Sequence, residues 1–250
     1  MTNATTPANE LAIWHDVECG AYHADLRIWA DLAVSHPGPI LELGAGTGRV
    51  ALALAELGHE VTAIDTAPVL LEVLAERAAA AHLAVETVAA DVRTLDFGRG
   101  FGLVIAPLQL LQVLGSAGDR GMALSAIRRH LSGGAVGAAA IVEGPPAPGS
   151  ADATPDPLPD LREVDGWVYS SLPVDVRVDG STLEATRLRQ RVSPGGELSE
   201  QVHIDRFAVL DAGELDAEAR AAGMEPAGRR VIPDDESFVG STICVWRAAS

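Results

Sequence analysis

The segment Ile40-Leu-Glu-Leu-Gly-Ala-Gly-Thr-Gly-Arg49 decides the fold class of this 250-residue chain. Its apolar run passes through three glycines into a helical pattern that stops at Gly58, which predicts a strand, a tight turn and a helix. The next apolar run, Val61-Thr-Ala-Ile-Asp65, ends in a carboxylate. Glycines let a backbone approach a ligand closely, and an acid at a strand tip can accept hydrogen bonds from a ribose diol. The pattern therefore predicts a nucleotide-binding turn.

The spacing of the glycines restricts the kind of nucleotide. A dinucleotide fingerprint needs its third glycine one position later, where the helix packs tightly and its N-terminus receives a pyrophosphate. This chain has Arg49 at that position, and its glycines are Gly44, Gly46 and Gly48. A nicotinamide-dependent dehydrogenase is therefore disfavoured.

Together with Glu42 ahead of it, the glycine turn resembles motif I of the class I S-adenosylmethionine-dependent methyltransferases. Further segments resemble this family in the family's order: Ala90-Asp91-Val92, the strand-like Phe101–Pro107, and a helix from Asp119 that ends at Leu131-Ser-Gly-Gly134. The resemblance covers roughly residues 10–145 motif by motif and 211–247 in outline.

The resemblance implies S-adenosylmethionine as cofactor and S-adenosylhomocysteine as product. It implies that the glycine turn contacts the methionine part of the cofactor, that Asp65 holds the ribose, and that Asp91 binds the adenine amino group. It also places Tyr22 over the methionine end. The residues predicted to contact the cofactor are Tyr22, Glu42, Gly44, Ala45, Gly46, Gly48, Asp65, Thr66, Asp91, Val92, Ala106 and Gln109.

The alternation of apolar strands and helices predicts an α/β fold: a Rossmann-like, doubly wound, mainly parallel sheet with an inserted antiparallel β-sheet lid. The predicted parts are an N-terminal helical lid at 1–39, a Rossmann-like domain at 40–143 and 211–250, a proline-rich linker at 144–160, and an antiparallel insertion at 161–210 that roofs the active site. Within the insertion, strands are expected at 163–171, 174–178, 182–192 and 197–210.

Composition limits the partners of this chain. A formal charge of −17 disfavours nucleic acid, whose binders rely on basic patches. No run approaches the roughly 20 apolar residues that cross a bilayer, and the N-terminus lacks the pattern of an export signal. We therefore expect a cytoplasmic monomer or homodimer that acts on a small molecule, without a membrane or nucleic-acid partner. The two cysteines are expected to be reduced, and no spacing indicates a metal site.

Three residues are candidates for catalysis: Tyr22, His23 and Glu143. Methyl transfer mainly requires the nucleophile to be held in line and water to be excluded, and a base only when the acceptor must lose a proton. Tyr22 and His23 lie in the N-terminal helical region, and Glu143 ends the fifth predicted strand. The alternatives are that Tyr22 packs the helix on the sheet, that His23 is solvated, and that Glu143 is an ordinary strand-end acid.

The residues predicted to bind the substrate are Gln109, Gln112, Trp167, Tyr169 and His203. Both glutamines follow the fourth strand, although Gln112 could face a neighbouring helix. Trp167 and Tyr169 alternate onto one face of a strand, which makes either a wall for a flat substrate or ordinary core. Likewise, His203 could line the same roof, or it could be a histidine at a sheet edge whose hydrogen bonds are made within the protein.

The arginines at 187, 189 and 191 share a strand face. Pairing with Glu197 or Glu200 across strands is one account of them, and binding of an anionic group is another.

The sequence favours a small-molecule methyltransferase. The aromatic wall suggests a flat acceptor, such as an indole or a cyclic dipeptide that bears one, methylated at carbon or nitrogen. The alternative is a protein with the same fold that binds the cofactor but catalyses a non-transfer reaction such as a cyclisation.

Overall fold

The computed structural model describes residues 9–143, 158–234 and 238–249, and these residues form two β-sheets and seven helices. The helices are α1 Glu10–Cys19, α2 Leu26–Ser35, α3 Arg49–Glu56, α4 Pro68–Ala80, α5 Leu110–Val113, α6 Ala117–His130 and α7 Ala212–Ala221. The strands are β1 Ile40–Leu43, β2 Val61–Asp65, β3 Val85–Ala89, β4 Phe101–Ala106, β5 Leu131–Ile141, β6 Asp160–Val164, β7 Trp167–Asp179, β8 Thr182–Val192, β9 Leu198–Ala208, β10 Met224–Ile232 and β11 Ser241–Ala248.

The larger sheet has seven strands in the order β10-β11-β5-β4-β1-β2-β3. Strands β5, β4, β1, β2 and β3 are parallel, whereas β11 and β10 are antiparallel to their neighbours. Helices cover both faces of this sheet, so its central strands are mostly apolar; all four residues of β1, including Glu42, are buried. The predicted Rossmann-like, mainly parallel fold is confirmed.

The topology brings the carboxyl ends of β1, β2, β4 and β5 to one edge of the larger sheet. In open parallel sheets this edge holds the ligand, because loops that diverge to opposite faces leave a crevice there. The glycine turn follows β1 and Asp65 ends β2, so both predicted cofactor elements lie at this edge.

The smaller sheet is antiparallel, with the order β6-β7-β8-β9. Its first strands differ from the prediction. Strand β6 begins at Asp160, inside the predicted linker, of which residues 144–157 lie outside the described ranges. Asp165 and Gly166, both with positive φ, form a two-residue turn that splits the predicted strand 163–171. An Asp-Gly pair is a strong hairpin signal, because such a turn requires positive φ at both residues.

Strand β7 is continuous where two strands were predicted. It runs through Pro173, with an irregularity in its pairing to β8 between Pro173 and Asp175. Proline removes a ladder donor, which is tolerated where the pairing is already disrupted. The proline therefore bends one strand instead of ending it.

The smaller sheet packs on α1. A buried apolar cluster joins Trp167 and Tyr169 to α1, and the Trp14 and Tyr169 rings meet edge to face with centroids 5.1 Å apart. The face of the smaller sheet that lies against α1 is called the inner face below. It also carries the arginine stripe.

The predicted cross-strand pairing of the arginine stripe is wrong. Arg189 binds Glu18 and Arg191 binds Glu10, both on α1, whereas Arg187 binds Asp160 and Ser171 of the sheet itself and lies 3.5 Å from Glu18. The predicted partner Glu200 instead accepts a hydrogen bond from Gln190, whose side chain alternates to the other face. The stripe therefore attaches the smaller sheet to the N-terminal helix.

Both cysteines are free thiols, as predicted. Among the described residues, no helix is both long enough and apolar enough to cross a membrane.

The buried hydroxyl of Tyr169 generates a stability prediction. This hydroxyl has no hydrogen-bond partner among the described residues, and a buried polar group without a partner costs about 1–3 kcal/mol. We expect Tyr169→Phe to raise the free energy of unfolding in urea by about 1 kcal/mol.

The matched control is Tyr22→Phe at the chain's other tyrosine, whose hydroxyl lies 3.3 Å from Ser241 Oγ. This control should not stabilise the protein. A Tyr169→Phe variant less stable than the parent would show that the hydroxyl has a partner.

Candidate active site

The turn between β1 and α3 is shaped by glycines in the left-handed region. Gly44 has φ +67° and Gly46 has φ +55°, and the Ala45 N–H donates to the Ile64 carbonyl at 2.8 Å. A Cβ on Gly46 would collide with the His15 imidazole, and one on Gly44 would press on the Leu110 side chain. The close approach of these two side chains, together with the left-handed backbone, explains why glycine is required at both positions.

The third glycine, Gly48, has a different structural role. A Cβ at Gly48 would collide with the Leu74 side chain of α4, and Gly48 has φ +93° at the N-cap of α3. Gly48 therefore permits the packing of α3 against α4, beside the turn.

Asp65 is tied directly to the glycine turn. One carboxylate oxygen accepts the Gly46 N–H at 3.0 Å, and the other accepts the Ala67 N–H at 2.9 Å. Each oxygen keeps a lone pair for a further donor. Thr66, the next residue, is exposed. The residues present therefore fit a ligand that offers a diol at the end of β2.

Glu42 is almost fully buried in β1, and its Oε2 atom has no hydrogen-bond partner among the described residues. Burial raises the pKa of Glu42 to about 8, although the nearby Arg49 guanidinium and the Ala51 N–H act in the opposite direction. The side chain is therefore mainly protonated at neutral pH and can donate as well as accept.

On the other side of Asp65, the Ala90 N–H donates to the Asp65 carbonyl at 3.0 Å, and the next residues are Asp91 and Val92. Hydrogen bonds from the Arg93 side chain and backbone lower the pKa of Asp91 to about 2. Val92 is buried. The ion pair between Asp91 and Arg93 is partly exposed, so it contributes little to stability. The sequence prediction did not include this ion pair.

Arg49, the residue in place of the dinucleotide glycine, fixes the N-terminal segment to α3. Its guanidinium binds both carboxylate oxygens of the buried Asp25 and the carbonyl of Tyr22, and it lies 5.2 Å from the centre of the Tyr22 ring. The Tyr22 ring also meets Phe238 edge to face. Tyr22 is thus buried near the start of α3, with its hydroxyl near Ser241.

His15 is a residue of the site that the sequence prediction missed. The Thr47 hydroxyl donates to Asp16, so its oxygen accepts from His15 Nδ1 at 3.1 Å. Burial lowers the pKa of His15, and the neutral ring then presents Nε2 as an acceptor beside Gly46. No motif spacing links positions 15 and 47, because the contact depends on how α1 packs on the turn.

Two predicted site residues hold secondary structure together. The Glu143 carboxylate accepts the Ala212 N–H at 2.8 Å and the Thr242 hydroxyl at 2.7 Å. Gln112 donates to the carbonyls of Val142 and Ala208, and its own oxygen accepts the Val142 N–H. These contacts occupy the groups that catalysis by Glu143 and substrate binding by Gln112 would require, so both roles are withdrawn.

The predicted aromatic wall is also occupied. Trp167 and Tyr169 are buried against Ile13, Trp14 and Val17 of α1, so they form core and leave no flat surface for a substrate. The predicted base His23 is exposed in the loop between α1 and α2.

Two other residues predicted to contact the substrate, Gln109 and His203, are partly exposed. Gln109 is half-buried at the N-cap of α5, shortly after Ala106, and follows Leu108, which has the positive φ of +55°. Strained backbone of this kind clusters at functional sites. His203 is half-exposed on β9, with Nε2 3.1 Å from Asp205 Oδ1.

Among the described residues, no group of three or more His, Cys, Asp or Glu side chains could hold a metal ion.

Glu42 generates a prediction about pH. Between the ordinary glutamate pKa of 4.5 and about 8, folded Glu42 retains a proton that the unfolded chain releases. Its contribution to stability is therefore complete below pH 4.5 and is lost as pH rises through about 8. We expect the parent protein to lose stability relative to Glu42→Gln by roughly 1 kcal/mol per pH unit in this window, measured by urea unfolding.

Glu56→Gln on the exposed surface of α3 is the control and should show a pH-independent difference. The same constant difference in Glu42→Gln would contradict a protonated Glu42.

The comparisons with known proteins agree with this geometry. A family model described as a methyltransferase domain matches residues 40–134. The CcbJ methyltransferase from Streptomyces caelestis is similar in structure with a TM-score of 0.70 and 26% identity, covering 92% of each chain. No curated protein matches the sequence.

Two further solved structures show the same fold at lower identity. The sugar N-methyltransferase KedS8 from Streptoalloteichus sp ATCC 53650 has a TM-score of 0.70 and 18% identity, over 98% of this chain and 95% of that one. SAM-bound CalS10, an amino pentose methyltransferase from Micromonospora echinaspora, has a TM-score of 0.69 and 21% identity, over 98% and 99%. Residues 40–134 therefore match a methyltransferase domain, and the chain shares the fold of solved methyltransferases.

Proposed function

We propose that this protein transfers the methyl group of S-adenosylmethionine to an amino group of a small molecule. The observation that carries the proposal is the glycine turn bridged to the Asp65 carboxylate at the carboxyl edge of the sheet, inside the segment that matches the methyltransferase domain. The structure of CalS10 with S-adenosylmethionine supports this cofactor.

S-Adenosylmethionine supplies a methyl carbon activated by a sulfonium, and S-adenosylhomocysteine remains as product. Asp65 would accept the ribose hydroxyls, and Asp91 with the Val92 N–H would bind the adenine. At the other end, His15 Nε2 would accept from the amino group of the methionine part. The remaining contacts would come from the glycine turn and from residues around it: Tyr22, Glu42, Gly44, Ala45, Gly46, Thr66, Ala106 and Gln109.

The chain's own contribution to the reaction is positioning and exclusion of water. Helix α1 lies against the glycine turn through His15 and Thr47, and the inner face of the smaller sheet lies against α1. Together they would cover the reacting centre as a lid and roof. Tyr22 and Gln109 would line the space in which the acceptor is held.

An amine is a better acceptor for this site than a flat indole. The wall that favoured an indole is filled by Trp14. KedS8 and CalS10 are by name a sugar N-methyltransferase and an amino pentose methyltransferase, which supports an amino group as the acceptor.

We further propose the His203–Asp205 pair as the proton acceptor. An amine attacks only through its free lone pair, so it must be deprotonated before or during transfer. His203 lies opposite Arg187 in the β8–β9 register, so the pair belongs to the inner face. Burial raises the pKa of Cys19 at the end of α1, and the charges of Glu18 and Asp205 add to the effect, which supports a location of the pair near this helix.

The function can be tested with methyl-labelled S-adenosylmethionine and a panel of amino sugars, simple amines, indoles, phenols and carboxylic acids. We expect label on an amine and stoichiometric S-adenosylhomocysteine. Label on the indole alone would contradict the amine assignment. Tight cofactor binding with no S-adenosylhomocysteine formed during turnover of any acceptor would favour a non-transfer reaction.

The proton acceptor can be tested through the pH profile of the amine methylation. We expect His203→Ala to lower kcat about 100-fold near pH 7 and much less at high pH, where the amine is already neutral. The control is His23→Ala, at the exposed histidine, which should keep the parent's profile. A loss that is equal at every pH would show that His203 only supports the structure.

A further inference from the structure

A cavity lies at the edge of the larger sheet that is opposite to the glycine turn. It has a volume of about 440 Å³, within the range of sites that hold small ligands. It is bounded by the end of α2, the start of β5, the end of β11 and part of β10. These are the ends of the elements that point away from the predicted active site, so the cavity is separate from it.

The cavity is basic in a strongly acidic protein. Arg230, Arg247 and His36 line it, and none of its described lining residues is acidic. Among the described residues, fifteen of the eighteen arginines have a carboxylate oxygen within 4.0 Å, and Arg230 and Arg247 are two of the three for which no such contact is found there. In a chain of net charge −17, two arginines without a carboxylate in one cavity leave positive charge for an external anion.

The backbone directs Arg230 toward the cavity. The register between β10 and β11 shifts between Pro226 and Gly228, and Gly228 has φ +145°. Arg230 Nη1 lies 3.6 Å from the position that a Cβ on Gly228 would take, and it donates to the Arg229 carbonyl. The guanidinium therefore lies over the strand at Gly228. Gly228 pairs with Val245 of β11, and Arg247 lies two residues after Val245.

The rest of the lining is apolar. Leu32, Val136 and Val245 are buried side chains that contribute to it. A guanidinium presents planar donors that match carboxylate and phosphate oxygens, whereas aliphatic side chains favour a hydrocarbon or ring.

We propose that this cavity is a binding site for a small organic anion, in which Arg230 and Arg247 hold a phosphate or carboxylate group and the apolar floor contacts the remainder of the ligand. The site is independent of the methyl-transfer reaction and of the cofactor.

The proposal can be tested by isothermal titration calorimetry at low ionic strength with phenyl phosphate, benzoate and inorganic phosphate. The protein is first saturated with S-adenosylhomocysteine so that the cofactor site cannot take the probe. We expect saturable one-to-one binding of phenyl phosphate or benzoate. The double variant Arg230→Gln/Arg247→Gln should weaken it at least tenfold.

The control is Arg128→Gln, at the third arginine without a carboxylate partner, which binds the Gly223 carbonyl outside this cavity. It should keep the parent's affinity within twofold, and all variants should bind S-adenosylhomocysteine as the parent does. Absence of saturable binding by every probe, or equal binding by the double variant, would overturn the proposal. Neither result would bear on the methyltransferase function, which depends on other residues.

Discussion

The buried carboxylate of Asp16 joins three parts of this protein. It accepts hydrogen bonds from the Thr47 hydroxyl of the glycine turn at 2.6 Å and from the Arg77 guanidinium of α4, and it forms an ion pair at 3.2 Å with the Arg162 guanidinium of β6. Burial alone would raise the pKa of Asp16, but the hydrogen bonds from Arg77 and Thr47 and both arginine charges lower it overall. A charge buried in this way is stable only with its partners in place, so α1, the turn and the smaller sheet depend on one another.

This dependence explains why the packing position of the N-terminal helix could not be predicted from the residues of the helix itself. On one side α1 meets the glycine turn through His15 and Asp16, and on the other it shares the core and ion pairs of the smaller sheet. The helix therefore acts as the connection between the cofactor turn and the insertion. In the proposed reaction, the same connection would exclude water from both ligands at once.

The parts of the fold that the sequence could predict are those encoded by neighbouring residues. The turn after β1 and the acid at the end of β2 follow from glycine spacing and apolar runs, since both are determined within about twenty-five residues. The roles of Glu143 and Gln112 could not be predicted in the same way, because their partners lie 30 to 99 residues away in the chain. The same holds for His15 and Thr47, and for the arginine stripe, whose partners on α1 lie up to 181 residues away. The Asp165-Gly166 turn was available in the sequence as a local hairpin signal, but the strand predicted at 163–171 ran across it.

In the proposed function, the cofactor binds between the glycine turn and Asp65, beneath α1. Hydrogen–deuterium exchange with and without saturating S-adenosylhomocysteine tests it most directly, because exchange reports the backbone at each element separately. We expect slower exchange in peptides that cover residues 10–20, 42–50 and 61–67, and unchanged exchange at the strand ends on the opposite edge of the sheet. Unchanged exchange in 42–50 and 61–67 at full saturation would contradict it.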